Sequence, residues 1–386
     1  EAITGSGAPA LGHAARWTLA RRSPLERPEE LVAVALDTGS EGAFFVRRHD
    51  GRGWSDPAVS PFQVGIARDT LVDRGFDLEH EARSGRALFV WANAEGLMRF
   101  QLHARGRWSA VREVPPLAGP ARRVRWVELV PRAGTDELAL LLLDDERRLT
   151  AALWDGSNFA VPRLVASGVL HRPGWRPFDG AFESVSGDLV VAWGFDVFAE
   201  SLRWTELVRA SGTWREGLFP SAEAVSADVE LASDPSSDRI AAVLGEADLN
   251  DDVAVCVWDG GAWIDAAELT LAGGSSNRLR DVLWLGTSGV ALAAYPATEG
   301  GTFRFALYLE HGWRVQPVVT LPGTGRGAAL ELLANPDGSA TGVLLDLDGA
   351  LHALRRADGQ FRRLGDGAPL ATGLDASARV FALGHR

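Results

Sequence analysis

The run Val253-Ala254-Val255-Cys256-Val257-Trp258-Asp259-Gly260-Gly261-Ala262-Trp263 decides the fold. Six apolar residues in succession describe a buried strand, Asp259-Gly260 a tight turn, and Trp263 the start of a strand running back. The turn with its aromatic recurs along the chain. It stands at Asp50-Gly51-Arg52-Gly53-Trp54, Arg105-Gly106-Arg107-Trp108, Asp155-Gly156-Ser157-Asn158-Phe159, Ser211-Gly212-Thr213-Trp214, His311-Gly312-Trp313 and Asp358-Gly359-Gln360-Phe361. The aromatics at 54, 108, 159, 214, 263, 313 and 361 are separated by 54, 51, 55, 49, 50 and 48 residues, so seven units fill the chain.

Each unit carries a second marker, a short run apolar at nearly every position, such as Leu88-Phe89-Val90-Trp91-Ala92, Leu138 to Leu143 or Leu189-Val190-Val191-Ala192-Trp193. Continuous apolarity over five or six residues between turn residues fits a strand buried on both faces. A polar turn follows, then a third strand, the Asp-Gly turn and a more polar fourth strand. With no helical period anywhere, the expected fold is all-β: a seven-bladed β-propeller of four-stranded antiparallel blades. Residues 16–386 form the propeller, and 1–15, rich in Gly and Ala, read as a flexible leader or linker. An eighth first-strand pattern, counting both Arg16-Trp17-Thr18-Leu19 and Arg379-Val380-Phe381-Ala382-Leu383, predicts that the ring closes by pairing 379–383 with 16–36 in one sheet.

A longer period overlies the first. Arg74-Gly75-Phe76-Asp77, Arg176-Pro177-Phe178-Asp179 and Arg278-Leu279-Arg280-Asp281 repeat at 102 residues, and Glu128, Glu230 and Glu331 stand in the intervening blades. The Asp and Glu positions point to opposite faces of their sheets, which predicts ion pairs or hydrogen bonds between blades rather than a ring of functional carboxylates.

Composition excludes several functions. The chain of 386 residues has a formal charge of −12, unfavourable for nucleic acid or an anionic membrane surface. It contains no lysine, which removes P-loop, Schiff-base and pyridoxal-phosphate chemistry. The single cysteine, Cys256, permits no internal disulfide and reads as an inert buried thiol. No apolar run is long enough for a membrane-spanning helix. The eight histidines show no ligand spacing, and Asp248-Leu249-Asn250-Asp251-Asp252 lacks the Gly and Glu of a calcium loop. No metal, cofactor or catalytic residue is expected.

The Asp-Gly-x-x-Trp turn admits two roles. Tryptophan beside Arg and Glu can stack on a sugar; alternatively Asp caps the turn, Gly takes positive φ, and the aromatic covers the edge of the blade. The aromatic is kept where Asp becomes Ser211 or Arg105, which favours packing. The turn resembles the Asp-box of sialidases and the repeat of fucose-binding lectins, but Asp and Gly are adjacent here. A sialidase nucleophile would be a tyrosine, and the only two, Tyr295 and Tyr308, fall within predicted buried strands. At Arg176-Pro177-Phe178-Asp179, Trp154-Asp155-Gly156 and Ala232 to Ala241, the chain resembles tandem propeller repeats of uncharacterised bacterial secreted or cell-surface proteins. That resemblance implies an extracytoplasmic, non-enzymatic protein, periplasmic or at the cell surface. The leading expectation is a scaffold subunit that binds protein partners of a surface or membrane-associated assembly. A lectin using blade-edge tryptophans is the alternative, and a glycoside hydrolase with paired carboxylates a third.

Overall fold

In a computed structural model, the described residues are 17–22, 30–37, 43–50, 58–63, 379–380 and 74–364, the last apart from 94–95, 106, 117–122, 171–175, 196–201, 221–225, 247–252, 270–279, 297–301, 321–326, 336, 347, 349 and 358. The expected leader 1–15, Trp54, the 248–252 acidic stretch, Arg278 and residues 381–383 lie outside them. Among the described residues there is no helix, and the strands form seven open sheets. Contacts divide the chain into two compact units, Glu1–Gly168 with Ser377–His385, and Val169–Ala376 with Arg386.

The first unit holds three sheets. The first comprises Trp17–Arg22, Glu30–Asp37, Ala43–Asp50 and Ala58–Gln63, the second Phe76–His80, Ala87–Ala92, Met98–Ala104 and Arg107–Trp108, and the third Val124–Pro131, Leu138–Asp144, Arg148–Trp154 and Arg163–Ser167. The second also pairs Arg112–Glu113. A fifth segment joins the first sheet: Arg379 and Val380 pair in parallel with Trp17 and Thr18, where the eighth first-strand pattern places them.

The second unit holds four sheets. They are Phe178–Phe182, Leu189–Trp193, Arg203–Val208 and Thr213–Leu218 (fourth); Ser226–Ser233, Ile240–Glu246, Val253–Trp258 and Trp263–Leu269 (fifth); Asp281–Trp284, Ala291–Pro296, Thr302–Tyr308 and Trp313–Val315, with Val319–Thr320 (sixth); and Gly327–Ala334, Ala340–Asp346, Leu351–Ala357 and Gln360–Arg363 (seventh). Chain-consecutive strands of each sheet pair antiparallel.

Burial explains the sequence pattern. The continuous apolar runs are second strands, buried at every position in Ala87–Ala92, Leu138–Asp144 and Leu189–Trp193. Within each unit consecutive sheets pack against each other and cover these strands. Leu88 and Val90 share a core with Val127, Leu129, Leu140 and Leu142 of the next sheet, and Val190 and Ala192 with Val229, Leu231 and Ala242. The fourth strands Arg163–Ser167 and Thr213–Leu218 are mostly exposed, which accounts for the polar residues of the second, whereas the first keeps Leu164 exposed.

Candidate functional site

The repeated carboxylates are spent on joining sheets. Asp77 accepts the N–H of Leu78 at 2.8 Å through one oxygen and that of Leu129, in the next sheet, at 2.7 Å through the other. Asp179 does the same with Gly180 and Leu231, and Asp281 with Val282 and Leu332. Arg74 lies between Asp77 and Glu128 and also donates to the Val127 carbonyl. Arg176 stands 3.3 Å from Asp179 and 2.8 Å from Glu230. Forward-facing Asp and backward-facing Glu thus meet at one guanidinium, as inter-blade pairing predicts. In the third repeat Arg278 lies outside the described residues, and Arg280, at the position of Phe76 and Phe178, is a buried arginine 3.9 Å from Asp228.

A second latch was not read from the sequence. Asp136 accepts the N–H groups of Arg83 and Ser84, and Asp238, 102 residues on, those of Val185 and Ser186. The indoles of Trp154 and Trp258 donate to the buried Glu81 and Glu183.

The turn motif is structural where it is described. Asp155 accepts the N–H groups of Ser157 and Asn158, and Asp259 those of Gly261 and Ala262. Gly156 and Gly260 have φ of 91° and 95°, which an L side chain rarely adopts. At His311-Gly312 the expectation needs correcting: the positive φ, 58°, falls on Glu310, because the turn closes one residue early, with His311 N–H on the Leu309 carbonyl. Phe159, Trp263 and Phe361 are buried, while Trp108, Trp214 and Trp313 are half-buried.

The aromatics packed between neighbouring sheets come partly from third strands, which the turn motif could not reveal. Trp204 is half-buried, donates to the Leu218 carbonyl at 3.2 Å, and packs edge-on to Trp258 at 4.8 Å. Its ring lies on Gly217, where a Cβ would come within 2.7 Å of it. Trp263 stacks on Phe219 at 4.2 Å alongside. In the first unit Phe100 occupies the matching place against Trp154 and Phe159, with the Arg112 guanidinium 4.8 Å above its ring. The recoverable signal was a third-strand aromatic at 100 and 204.

The two tyrosines and the single cysteine lie in the core. Tyr295 and Tyr308 are buried in strands, and Tyr308, which donates to Asp265 at 2.6 Å, is pushed up to about 12 by burial and by that carboxylate. Burial pushes the Cys256 thiol well up. Among the described residues one set of side chains, Glu183, Asp188 and Glu206, brings three carboxylate oxygens within 4.8 Å of one another. No described helix is long and apolar enough to cross a membrane.

No protein-family model matches the sequence, and no curated protein matches it. The chain is similar in structure to the BP39L lectin from Burkholderia pseudomallei, at 15% identity and a TM-score of 0.61 over 93% of this chain and 99% of that one. It is also similar to one of two prolyl endopeptidases, at 15% identity and a TM-score of 0.52, over 93% of this chain but 52% of that one. At these identities the likeness is one of fold, a β-propeller-like all-β architecture.

Proposed function

We propose that the chain is a non-enzymatic binding protein, a seven-bladed propeller whose ring is closed by the pairing of Arg379 and Val380 with Trp17 and Thr18, and that it takes glycans at aromatic clefts on the blade edges. One observation carries the glycan reading. Trp204 and Glu206, two apart on one strand, face the same way, and their register partners Gly217 and Arg215 share that face. A half-buried indole therefore lies beside a half-exposed guanidinium that is held by a buried carboxylate. An aromatic platform for the apolar face of a sugar with a fixed donor for its hydroxyls is a carbohydrate-binding arrangement. BP39L, whose fold this chain shares, is itself a lectin. The inert state of Tyr308 and Cys256 and the structural use of the inner carboxylates support the absence of catalysis, and the protein acts outside the cytoplasm.

A glycan array followed by titration of tryptophan fluorescence tests this. Trp204→Ala is expected to abolish the response of the best ligand and Trp204→Phe to retain part of it. An array without hits, or affinity unchanged in Trp204→Ala, sinks the reading.

A second reading is a scaffold subunit docking protein partners. It is favoured by apolar residues exposed on outermost strands, Leu164, Leu218 and Val315, each 50% exposed or more. Co-purification from the native source decides it: a chain recovered alone and monomeric speaks against a scaffold.

A further inference from the structure

Three sheets spaced by 102 residues present the same trio of positions in three chemical versions. In each, the residue after the first strand donates its N–H to the carbonyl of the residue five further on: Glu81 to Arg86, Glu183 to Asp188, Leu285 to Val290. The third member lies on the third strand at one register, Leu102 opposite Leu88, Glu206 opposite Val190 and Leu307 opposite Leu292. In the second sheet the trio is Glu81, Arg86 and Leu102, and the Arg86 guanidinium binds both Glu81 oxygens. In the sixth it is Leu285, Val290 and Leu307, all apolar. Both versions are electrically neutral.

The fourth sheet has Glu183, Asp188 and Glu206 instead, with Glu183 2% and Glu206 1% exposed and Asp188 half-buried. The groups that face them do not balance the charge. Ser186 and Trp258 donate to Glu183, the Arg209 N–H donates to Asp188 at 2.7 Å, and the Asp238 carboxylate adds to the repulsion. Arg215, the cation in contact, binds one oxygen of Glu206. The other, Oε1, is buried and accepts no hydrogen bond among the described residues. Burial raises the pKa of both Glu183 and Glu206 from its ordinary value. Such charge is retained in a protein interior when a counter-charge occupies the site.

We propose that Glu183, Asp188 and Glu206 bind a divalent, oxygen-preferring cation of the calcium class in the place that the Arg86 guanidinium takes in the second sheet. Three carboxylates with one arginine leave two negative charges for it. Oxygens within 4.8 Å of one another can share an ion at the roughly 2.3–2.6 Å typical of calcium. Water completes the shell from the half-exposed side at Asp188.

The full chain, stripped with a chelator, is titrated with calcium, magnesium and manganese by calorimetry and thermal unfolding. A single site and a cation-dependent rise in Tm are expected. Asp188→Asn, or Glu206→Gln should that variant fail to fold, weakens binding by about tenfold or more. Asp188→Arg, which restores the second-sheet arrangement, gives a folded chain whose Tm no longer responds to the cation. Asp248→Asn/Asp251→Asn, in the acidic stretch with partial calcium-loop spacing, retains the site. The proposal is overturned if none of the three cations changes heat or Tm, if binding persists unweakened in Asp188→Asn and Glu206→Gln, or if it disappears in the Asp248/Asp251 variant.

Discussion

The Asp77 carboxylate accepts the backbone N–H of Leu129 at 2.7 Å across the junction of two sheets. Its geometry recurs at Asp179 with Leu231 and at Asp281 with Leu332. Each carboxylate also accepts the next N–H of its own strand, so one buried side chain satisfies donors in two sheets.

Asp179→Ala should therefore strand the N–H groups of Gly180 and Leu231 and remove a partner of Arg176. A loss of about 3 kcal/mol or more is expected in urea unfolding. Asp179→Asn, with one acceptor oxygen for two donors on opposite sides, should fall between the two. Wild-type stability in Asp179→Ala would show that the latch contributes nothing.

Asp234 supplies a pH dependence of known sign. It is fully buried, and burial alone would raise its pKa. Donation from the Ser237 hydroxyl, the Ser236 N–H and hydroxyl, and Arg239 outweighs burial and holds the carboxyl below its ordinary value. A carboxylate depressed in the folded state contributes stability that is present above its ordinary pKa of 3.8 and lost as pH falls through the lower folded value. Asp234→Asn should lower Tm at pH 7, and the difference from wild type should shrink as the pH is taken below 3.8. A difference that stays constant to the lowest pH at which the chain folds would contradict this assignment.

Gly245 is required by space. A Cβ there would lie 1.4 Å from one terminal nitrogen of Arg280 and 2.2 Å from its guanidinium carbon, and Arg280 is buried. Gly245→Ala must push the guanidinium off its seat beside Asp228, at a cost of about 1–3 kcal/mol. The double variant Gly245→Ala/Arg280→Phe, which places in the third repeat the residue type found at 76 and 178, should recover part of the loss. Additive losses in chemical unfolding would rule out the steric account.

How far the molecule was legible can be argued from these residues. The repeat was readable because a strand buried on both faces tolerates almost nothing but apolar residues, so Leu88, Leu138 and Leu189 announce themselves. Asp77 and Glu128 were readable because 102-residue spacing is covalent bookkeeping. Arg278, at the repeat's arginine position, lies outside the described residues, while Arg280, two residues later, is buried in a seat that Gly245 leaves open, which spacing alone could not show. Trp204 escaped because an aromatic within a third strand looks like any core residue until its partial exposure is known, and Phe100, at the matching place, is a core residue. Glu183, Asp188 and Glu206 escaped for another reason. They come from a strand end, a turn and a third strand, and only register brings them together, so no metal-ligand spacing exists in the sequence.

Arg379 and Val380 run parallel to Trp17 and Thr18 and extend the first sheet beyond the strand that starts it. Removing residues 377–386 leaves the backbone groups of that strand edge without their partner. Two lost hydrogen bonds cost about 1–3 kcal/mol, and each apolar side chain newly exposed adds about 1.5–3 kcal/mol. The truncated chain should unfold at lower urea with the same or smaller m-value, and a bare strand edge should make it self-associate in size-exclusion chromatography as concentration rises. Adding the ten-residue segment back as a peptide should restore Tm if pairing is the cause. A truncated chain that is monomeric and as stable as the full one would mean that this pairing does not close a ring.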